Sequence, residues 1–321
     1  MTSSTSNNVK ASFSKRFVEY VNSNPHSYPD TESFFTALKS WPEKAVRANT
    51  HVVSIEDLCT SWMIDGDLVP WCSDATYFDF DHKIGASKEH KQGLCYVGDP
   101  SAMVAVECVD IKSDAVVVDM CAAPGGKSIH ALNSLGPSGT LISNDVDSRR
   151  VRVLKENLDR MMNPIALEQR PHCEITNISA QDLSVTYRHQ ADVVLLDAPC
   201  SGEAIMRKSD IARRQWSPKL VAKMSALQKE LFDSARELVK PGGMIIYSTC
   251  TFNSCENYEV IAYAREELNL TPARGQELVK HLEEKTAVSL EGIIERDHGI
   301  VLYPHYIRGD GQSVAVLTTP S

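Results

Sequence analysis

The order of apolar segments predicts a doubly wound α/β domain with a mostly parallel sheet, preceded by a small α+β unit. Three observations carry this. Short continuous apolar runs, such as Val193-Val194-Leu195-Leu196 and Met244-Ile245-Ile246-Tyr247, read as strands covered on both faces. Amphipathic helical stretches alternate with these runs, as in successive β-α-β crossovers. Several runs stop at polar or reactive residues: Asp197 and Cys200 follow one, Cys250 follows another. A strand ending this way delivers those residues to one rim of an open sheet, where ligands bind.

The elements follow in order. Residues 1–10 are polar and rich in Ser and Asn, and a disordered tail is expected there. Residues 11–45 read as helical, with Phe13, Phe17, Tyr20 and Val21, then Phe34, Phe35 and Leu38, at helical spacing. Residues 46–92 mix strand-like pieces, Val52-Val53 and Thr76-Tyr77-Phe78-Asp79-Phe80, with turns. Together 11–92 form the α+β unit, with a boundary near Gly93. The range 93–321 is the doubly wound domain. It holds strands at 115–120, 140–143, near 174–176, at 191–196 and at 244–248. Helices are expected at 128–135, 148–162, about 219–239 and 257–267. Val151, Leu154, Leu158 and Met161 share one side of the second of these. Pro241-Gly242-Gly243 closes the third. Two last strands, 300–303 and 313–317, are expected to pair antiparallel at an edge.

Composition narrows the class. Of 321 residues, 42% are apolar and 23% charged, the balance of a globular protein in water. No apolar run reaches the length of a membrane span, and the N-terminus lacks the apolar segment of a secretory signal. Nine cysteines, an odd number without a C-x-x-C pair, argue against a disulfide framework and against a zinc site. They fit a reducing compartment, so a cytoplasmic, metal-free monomer is expected. A net charge of −9 counts against a nucleic-acid binder. Yet 207–223 carries Arg207, Lys208, Arg213, Arg214, Lys219 and Lys223 against one acid, Asp210. Such a patch can hold phosphates, or it can be a solvated helix face.

Four segments carry chemistry. The strand at 115–120 runs into Cys121-Ala122-Ala123-Pro124-Gly125-Gly126-Lys127-Ser128. Small residues let backbone approach a ligand, and a helix N-terminus follows. This is one residue from a P-loop, with Cys121 in place of the first glycine and 193–197 as a Walker-B-like strand. A P-loop-like nucleotide hydrolase is therefore the rival reading. The next strand ends in Asn144-Asp145-Val146-Asp147. An acid there suits two vicinal ribose hydroxyls and would repel phosphate, while Asp147 fits a helix N-cap. Asp182 follows the third strand, where it can accept from an adenine amino group or be an ordinary loop acid. Free cysteine usually behaves as a small buried hydrophobe, the default for Cys59, Cys72, Cys95, Cys108, Cys173 and Cys255. Cys200 and Cys250 differ, because both lie just beyond buried strands, where a thiolate could attack a ring carbon.

Residues 121–127, 197–202 with Arg207-Lys208, and 247–251 with Glu256-Asn257 together resemble the NOL1/NOP2/Sun family of RNA cytosine-5 methyltransferases. The pairing of Pro199-Cys200 with Thr249-Cys250 is the specific part. Similarity extends outward through Arg47-Ala48-Asn49-Thr50, Glu89-His90, Gly93, Tyr96, Ser101-Ala102-Met103 and Gln215-Trp216-Ser217-Pro218, covering about 45–320. It is nearest to the bacterial ribosomal-RNA branch of the YebU/RsmF type. The resemblance implies a Rossmann-like methyltransferase sheet, S-adenosylmethionine as cofactor and structured RNA as partner, ribosomal RNA before transfer RNA. Residues 11–92 then become an RNA-binding or accessory domain.

The resemblance also implies roles. Cys250 is the nucleophile and Cys200 assists product release. Asp197 holds the cytosine edge, and Lys127 pairs with Asp197. The cofactor lies on residues 121–127 and Asp197, with Asp145 on its ribose, Asp182 on adenine and Arg150 beside them. Trp216 is expected as a buried anchor ahead of a base-stacking surface. A catalytically inactive RNA-binding relative is a further reading, against which both cysteines speak. Two departures stand out: Gly98-Asp99-Pro100 replaces a common Gln-Glu, and Gly311-Gln312-Ser313 replaces a common Gly-Phe-Phe. The extra RNA-binding domain of the bacterial ribosomal enzyme is expected to be missing, which leaves the RNA and the cytidine open.

Overall fold

The computed structural model describes residues 13–320, so the tail expected at 1–10 lies outside the described residues. The strands are β1 (Lys44–Ala48), β2 (Leu68–Val69), β3 (Cys72–Phe78), β4 (Cys95–Gly98), β5 (Val116–Asp119), β6 (Thr140–Asn144), β7 (His172–Thr176), β8 (Ala191–Asp197), β9 (Val239–Thr249), β10 (Thr271–Pro272), β11 (Ile293–Arg296), β12 (Gly299–Leu302) and β13 (Gln312–Thr318). They form a four-stranded sheet, β2-β3-β1-β4, and a nine-stranded sheet, β11-β12-β13-β9-β8-β5-β6-β7, with β10 beside β13.

The large sheet is parallel from β9 to β7 and antiparallel from β13 outward. Along its central strands neighbouring side chains enter opposite cores. Val117, Val193, Leu195 and Ile246 join one cluster; Val118, Val194, Leu196 and Tyr247 join the other. Helices Gly126–Leu132, Ser148–Met162 and Gly275–Thr286 cover the first face, through Ile129, Leu154, Leu158 and Leu282. Helices Ala180–Thr186, Pro218–Leu238 and Tyr258–Glu266 cover the second, through Leu183, Phe232, Ala235 and Val260. Burial on both faces is why these strands read as unbroken apolar runs. Each fully buried Leu, Val or Phe contributes about 1.5–3 kcal/mol relative to exposure.

The chain winds outward from β5 to β7, then returns to place β8 on the other side of β5. That reversal opens a crevice at the carboxyl ends of β5 and β8, beside Cys121 and Asp197. β9 pairs with β8 in parallel, placing Ser248 level with Asp197 and bringing Cys250 to the same rim.

Three expectations change. Val52-Val53 is no strand: it sits in a turn before the helix Ile55–Trp62. Ser54 caps that helix by accepting from the Asp57 N–H at 3.1 Å, and the cap overrides the short β-branched signal. The small sheet continues beyond Gly93, because β4 pairs with β1 through residues 45–48 and 95–98. The N-terminal helices Lys15–Asn22 and Thr31–Ala37 do not pack on that sheet. Phe17, Val21, Phe34 and Leu38 cluster instead with Trp216, Phe252 and Tyr303 of the second domain.

Candidate active site

The 121–127 loop leaves β5 and is held open by its neighbours. The Ala122 N–H donates to the Asn144 carbonyl at 2.8 Å, and the Ala123 N–H to Asp145 Oδ2 at 3.3 Å. Asn157 Nδ2 donates to the Pro124 carbonyl at 2.9 Å, and Arg150 donates to the Ala123 carbonyl. Gly125 turns the chain at φ +113°, where a Cβ would also crowd Leu154. Beneath the loop Asp119 Oδ2 accepts from Ser128 Oγ at 2.6 Å, while Oδ1 has no partner. Burial, reinforced by the charge of Asp197, pushes the Asp119 carboxyl up to about 7.

Asp145 follows β6 directly and is 2% exposed. Arg150 Nη1 lies 3.2 Å from its Oδ2. Asp147 caps the helix Ser148–Met162, accepting from the Arg149 N–H at 2.8 Å, so the cap falls to Asp147 and not to Asp145. Asp182 is exposed in the first turn of the helix Ala180–Thr186, where Ser179 Oγ donates to it at 2.7 Å. That capping contact is reason enough for its identity, and the structure does not bring it into the loop.

The rim holds four groups together. Lys127 Nζ lies 2.9 Å from Asp197 Oδ2, and Ser248 Oγ donates to Asp197 Oδ1 at 2.8 Å. Burial opposes the charge on Lys127, but Asp197 overcomes this and, with Asp119 and Cys250, raises its pKa. The Lys127 charge is thus committed to Asp197, unlike a P-loop lysine free for phosphate. Cys200 Sγ and Cys250 Sγ are 3.1 Å apart, and both thiols are free. The contact with Cys250, burial, and the charge Cys250 would carry all push the Cys200 thiol well up. Cys250 lies close enough to Lys127 for its charge to act on the ammonium. Cys121 is inert by comparison, its thiol pushed up by burial and by three nearby carboxylates.

A polar network that the motifs did not reveal fixes this rim. Glu203 is fully buried and accepts from Tyr28 Oη at 2.8 Å, Trp216 Nε1 at 3.2 Å, the Phe252 N–H at 2.8 Å and Asn253 Nδ2 at 3.1 Å. Glu256, also fully buried, accepts from the Ser201 N–H at 2.8 Å and from Gln228 Nε2 at 3.0 Å. The Ala204 N–H donates to the Cys250 carbonyl at 3.0 Å. The two cysteine segments are tied into one body. The signal was available: two acids, Glu203 and Glu256, each lie within six residues of a site cysteine.

The basic cluster at 207–223 is only partly a surface. Arg207 and Arg213 are 6% and 5% exposed. Arg207 donates to the Ser40 carbonyl at 3.1 Å and to the Gly309 carbonyl, and Lys208 pairs with Asp310. Arg214, Lys219 and Lys223 are exposed. Trp216 is 3% exposed and edge-on to Phe17 at 4.8 Å, an anchor and not a base platform. The two departures from the family pattern meet in space. Asp99 Oδ1 accepts from the Asp310 N–H at 2.9 Å, and Ser101 Oγ accepts from the Gly311 N–H at 2.9 Å.

Comparison with known proteins agrees with this geometry. Residues 106–318 match the model of the 16S rRNA methyltransferase RsmB/F family, and 13–100 the N-terminal domain of 16S rRNA methyltransferase RsmF. Ribosomal RNA small subunit methyltransferase F of Salmonella agona (strain SL483) is 32% identical over 246 residues, 73% of this chain and 50% of that protein. Its namesake in Escherichia coli O9:H4 (strain HS) is 31% identical over 247 residues, again 73% and 50%. The chain thus spans about half the length of these relatives. Among solved structures, PH0851 aligns with TM-score 0.74 and 26% identity over 93% of this chain and 65% of that one. NSun6 from Pyrococcus horikoshii shares the fold at TM-score 0.78 and 18% identity, over 96% and 99%. No helix among the described residues is long and apolar enough to cross a membrane. Matched across two thirds of its length, the chain belongs to the 16S rRNA methyltransferase RsmB/F family.

Proposed function

We propose that this protein transfers a methyl group from S-adenosylmethionine to carbon 5 of a cytidine in RNA, through a covalent bond between Cys250 and the base. The observation that carries the proposal is the pair of free sulfurs 3.1 Å apart, set beside the Lys127–Asp197 pair on the ligand rim. Ribosomal RNA is the favoured substrate, because the family and the relatives above are named for it; the compartment is then the cytoplasm. The protein is proposed to act as a monomer and without a metal.

The residues present suit the cofactor. The Asp145 carboxylate, buried and anchored by Arg150, has acceptor capacity left for ribose hydroxyls. Asp182 is proposed to accept from the adenine amino group. When bound, the cofactor supplies an electrophilic methyl carbon. Everything else falls to the chain. A cytidine must leave its stack to enter the crevice. Carbon 5 of cytosine is a weak nucleophile, so the Cys250 thiolate adds to carbon 6 and makes carbon 5 enamine-like. Asp197, fixed by Lys127 and Ser248, holds the ring nitrogen and amino edge while charge develops there. After methylation the carbon-5 proton passes to water, and the electron pair it leaves behind restores the 5,6 double bond and expels Cys250 as a thiolate. Cys200, in contact with Cys250, assists that release. Arg214, Lys219 and Lys223 are the exposed cations left to meet RNA phosphates.

The Cys200→Ala variant tests the reading. It is expected to form the bond and fail to release it, giving a protein–RNA band on a denaturing gel that requires the cofactor and vanishes in the double variant with Cys250→Ala. A Cys200→Ala protein that turns over normally and shows no band contradicts the assignment.

A further inference from the structure

We infer that Arg47, on the small N-terminal sheet, is the anion-binding end of the cofactor site and takes the carboxylate of the cofactor's amino-acid tail. The inference rests on the cofactor reading above. Arg47 lies on β1, between β3 and β4, and is 2% exposed. Its Nε and Nη2 are buried with no hydrogen-bond partner, and it forms no ion pair among the described residues. A guanidinium stripped of water and left unpaired is costly, and such groups persist where a ligand completes them. Burial holds its pKa below the usual arginine range.

The acid beside it is spent elsewhere. Glu107 Oε1 accepts from His130 Nε2 at 2.7 Å, and its Oε2 pairs with Lys285 Nζ at 2.7 Å. Asp74 acts on Arg47 through charge and makes no hydrogen bond to it. What Arg47 does face is a cavity of about 310 Å³, walled also by Tyr96, Gly98, Asp119, Gly126, Lys127 and Asp197. Asp119, in the same wall, is 1% exposed and has its own orphan, Oδ1. The cavity wall therefore carries an unanswered cation, the unpartnered Nδ1 of His130 and a carboxylate oxygen without a donor. An α-amino-acid group, carrying a carboxylate and an ammonium, answers the cation and the carboxylate oxygen.

The direction of the ligand agrees. Asp145 touches the loop from its far flank through the Ala123 N–H. Ala122, Ala123 and Gly126 of the same loop also line the cavity, so a cofactor whose ribose met Asp145 would have its tail within reach of it. A flipped cytosine is neutral and offers no carboxylate. The RNA backbone would bring a phosphate, which is the competing source of negative charge.

Calorimetric titration separates these. The ligands are S-adenosylhomocysteine, its carboxamide, and 5′-methylthioadenosine, which lacks the amino-acid tail. Arg47→Gln is expected to weaken S-adenosylhomocysteine about tenfold to a hundredfold, the usual size of a lost charged hydrogen bond, and to leave 5′-methylthioadenosine unchanged. In the unmodified protein the carboxamide is expected to bind as weakly as S-adenosylhomocysteine binds Arg47→Gln, a result that needs no variant to fold. Equal binding of S-adenosylhomocysteine by both proteins, or of the carboxamide and the acid by the unmodified one, overturns the inference alone. So does an Arg47→Gln protein that loses affinity only for an RNA oligonucleotide. Failure of the unmodified protein to bind either adenosine ligand would instead overturn the cofactor reading.

Discussion

Replacing Cys250 by alanine is expected to lower methyl transfer by a factor on the order of 10⁴ or more, because the reaction loses the bond that activates carbon 5. The change deletes one sulfur from a half-buried position, so folding should survive it. Binding of S-adenosylhomocysteine should also survive, since the 121–127 loop and Asp145 follow β5 and β6, not β9. Loss of kcat with unchanged cofactor affinity is thus the expected signature. It is measured by single-turnover transfer of labelled methyl groups alongside calorimetry. The opposite pattern, activity kept in Cys250→Ala and lost without an adduct in Cys200→Ala, would exchange the two roles. The contact with Cys250, burial and the charge Cys250 would carry push the Cys200 thiol well up, and Lys127 lies within reach of charge on Cys250, which favours the roles as proposed.

Glu203→Ala is expected to destabilise the protein by about 3–5 kcal/mol, the range for breaking a buried, fully engaged polar group. Three donors would be orphaned together, the Tyr28 hydroxyl, the Trp216 indole and the Phe252 N–H, while the Asn253 amide would keep Thr251 and Glu256. The three come from the link between the N-terminal helices, from the segment after Cys200 and from the segment after Cys250. Their loss should therefore loosen the rim as well as the fold. Urea denaturation reads the effect. Tyr28→Phe, which removes a single donor, should cost about 1 kcal/mol. A Glu203→Ala protein as stable as the parent would show that the network is dispensable.

Much of this was legible in the order of residues. Central strands buried on both faces could be read from 193–196 and 244–247, because β-α-β packing demands unbroken apolar runs. The capping role of Asp147 was legible too, since it precedes a helix by one residue. What was not legible depends on long-range packing. Arg207 and Arg213 look like RNA-facing cations beside Arg214, yet they are buried, and charge pattern cannot report which side of a short helix turns inward. Val52-Val53 carries a strand signal that one serine cap cancels. The N-terminal helices show clear periodicity but not the partner of their apolar faces, which is Trp216 and its surroundings. Arg47 shows only that it is an arginine; its isolation requires knowing that Glu107 is already held by His130 and Lys285. The meeting of Asp99 with Asp310 spans 211 residues of chain.

The central claim is that the methyl group goes to carbon 5 through a thiol adduct at carbon 6. Small-subunit ribosomal RNA transcribed with cytidine tritiated at carbon 5, incubated with S-adenosylmethionine carrying a carbon-14 methyl group, tests it most directly. One tritium released to water for each methyl group transferred, with both signals abolished in Cys250→Ala, is the predicted result. Methyl incorporation without tritium release would place the group on another atom of the RNA and contradict the account.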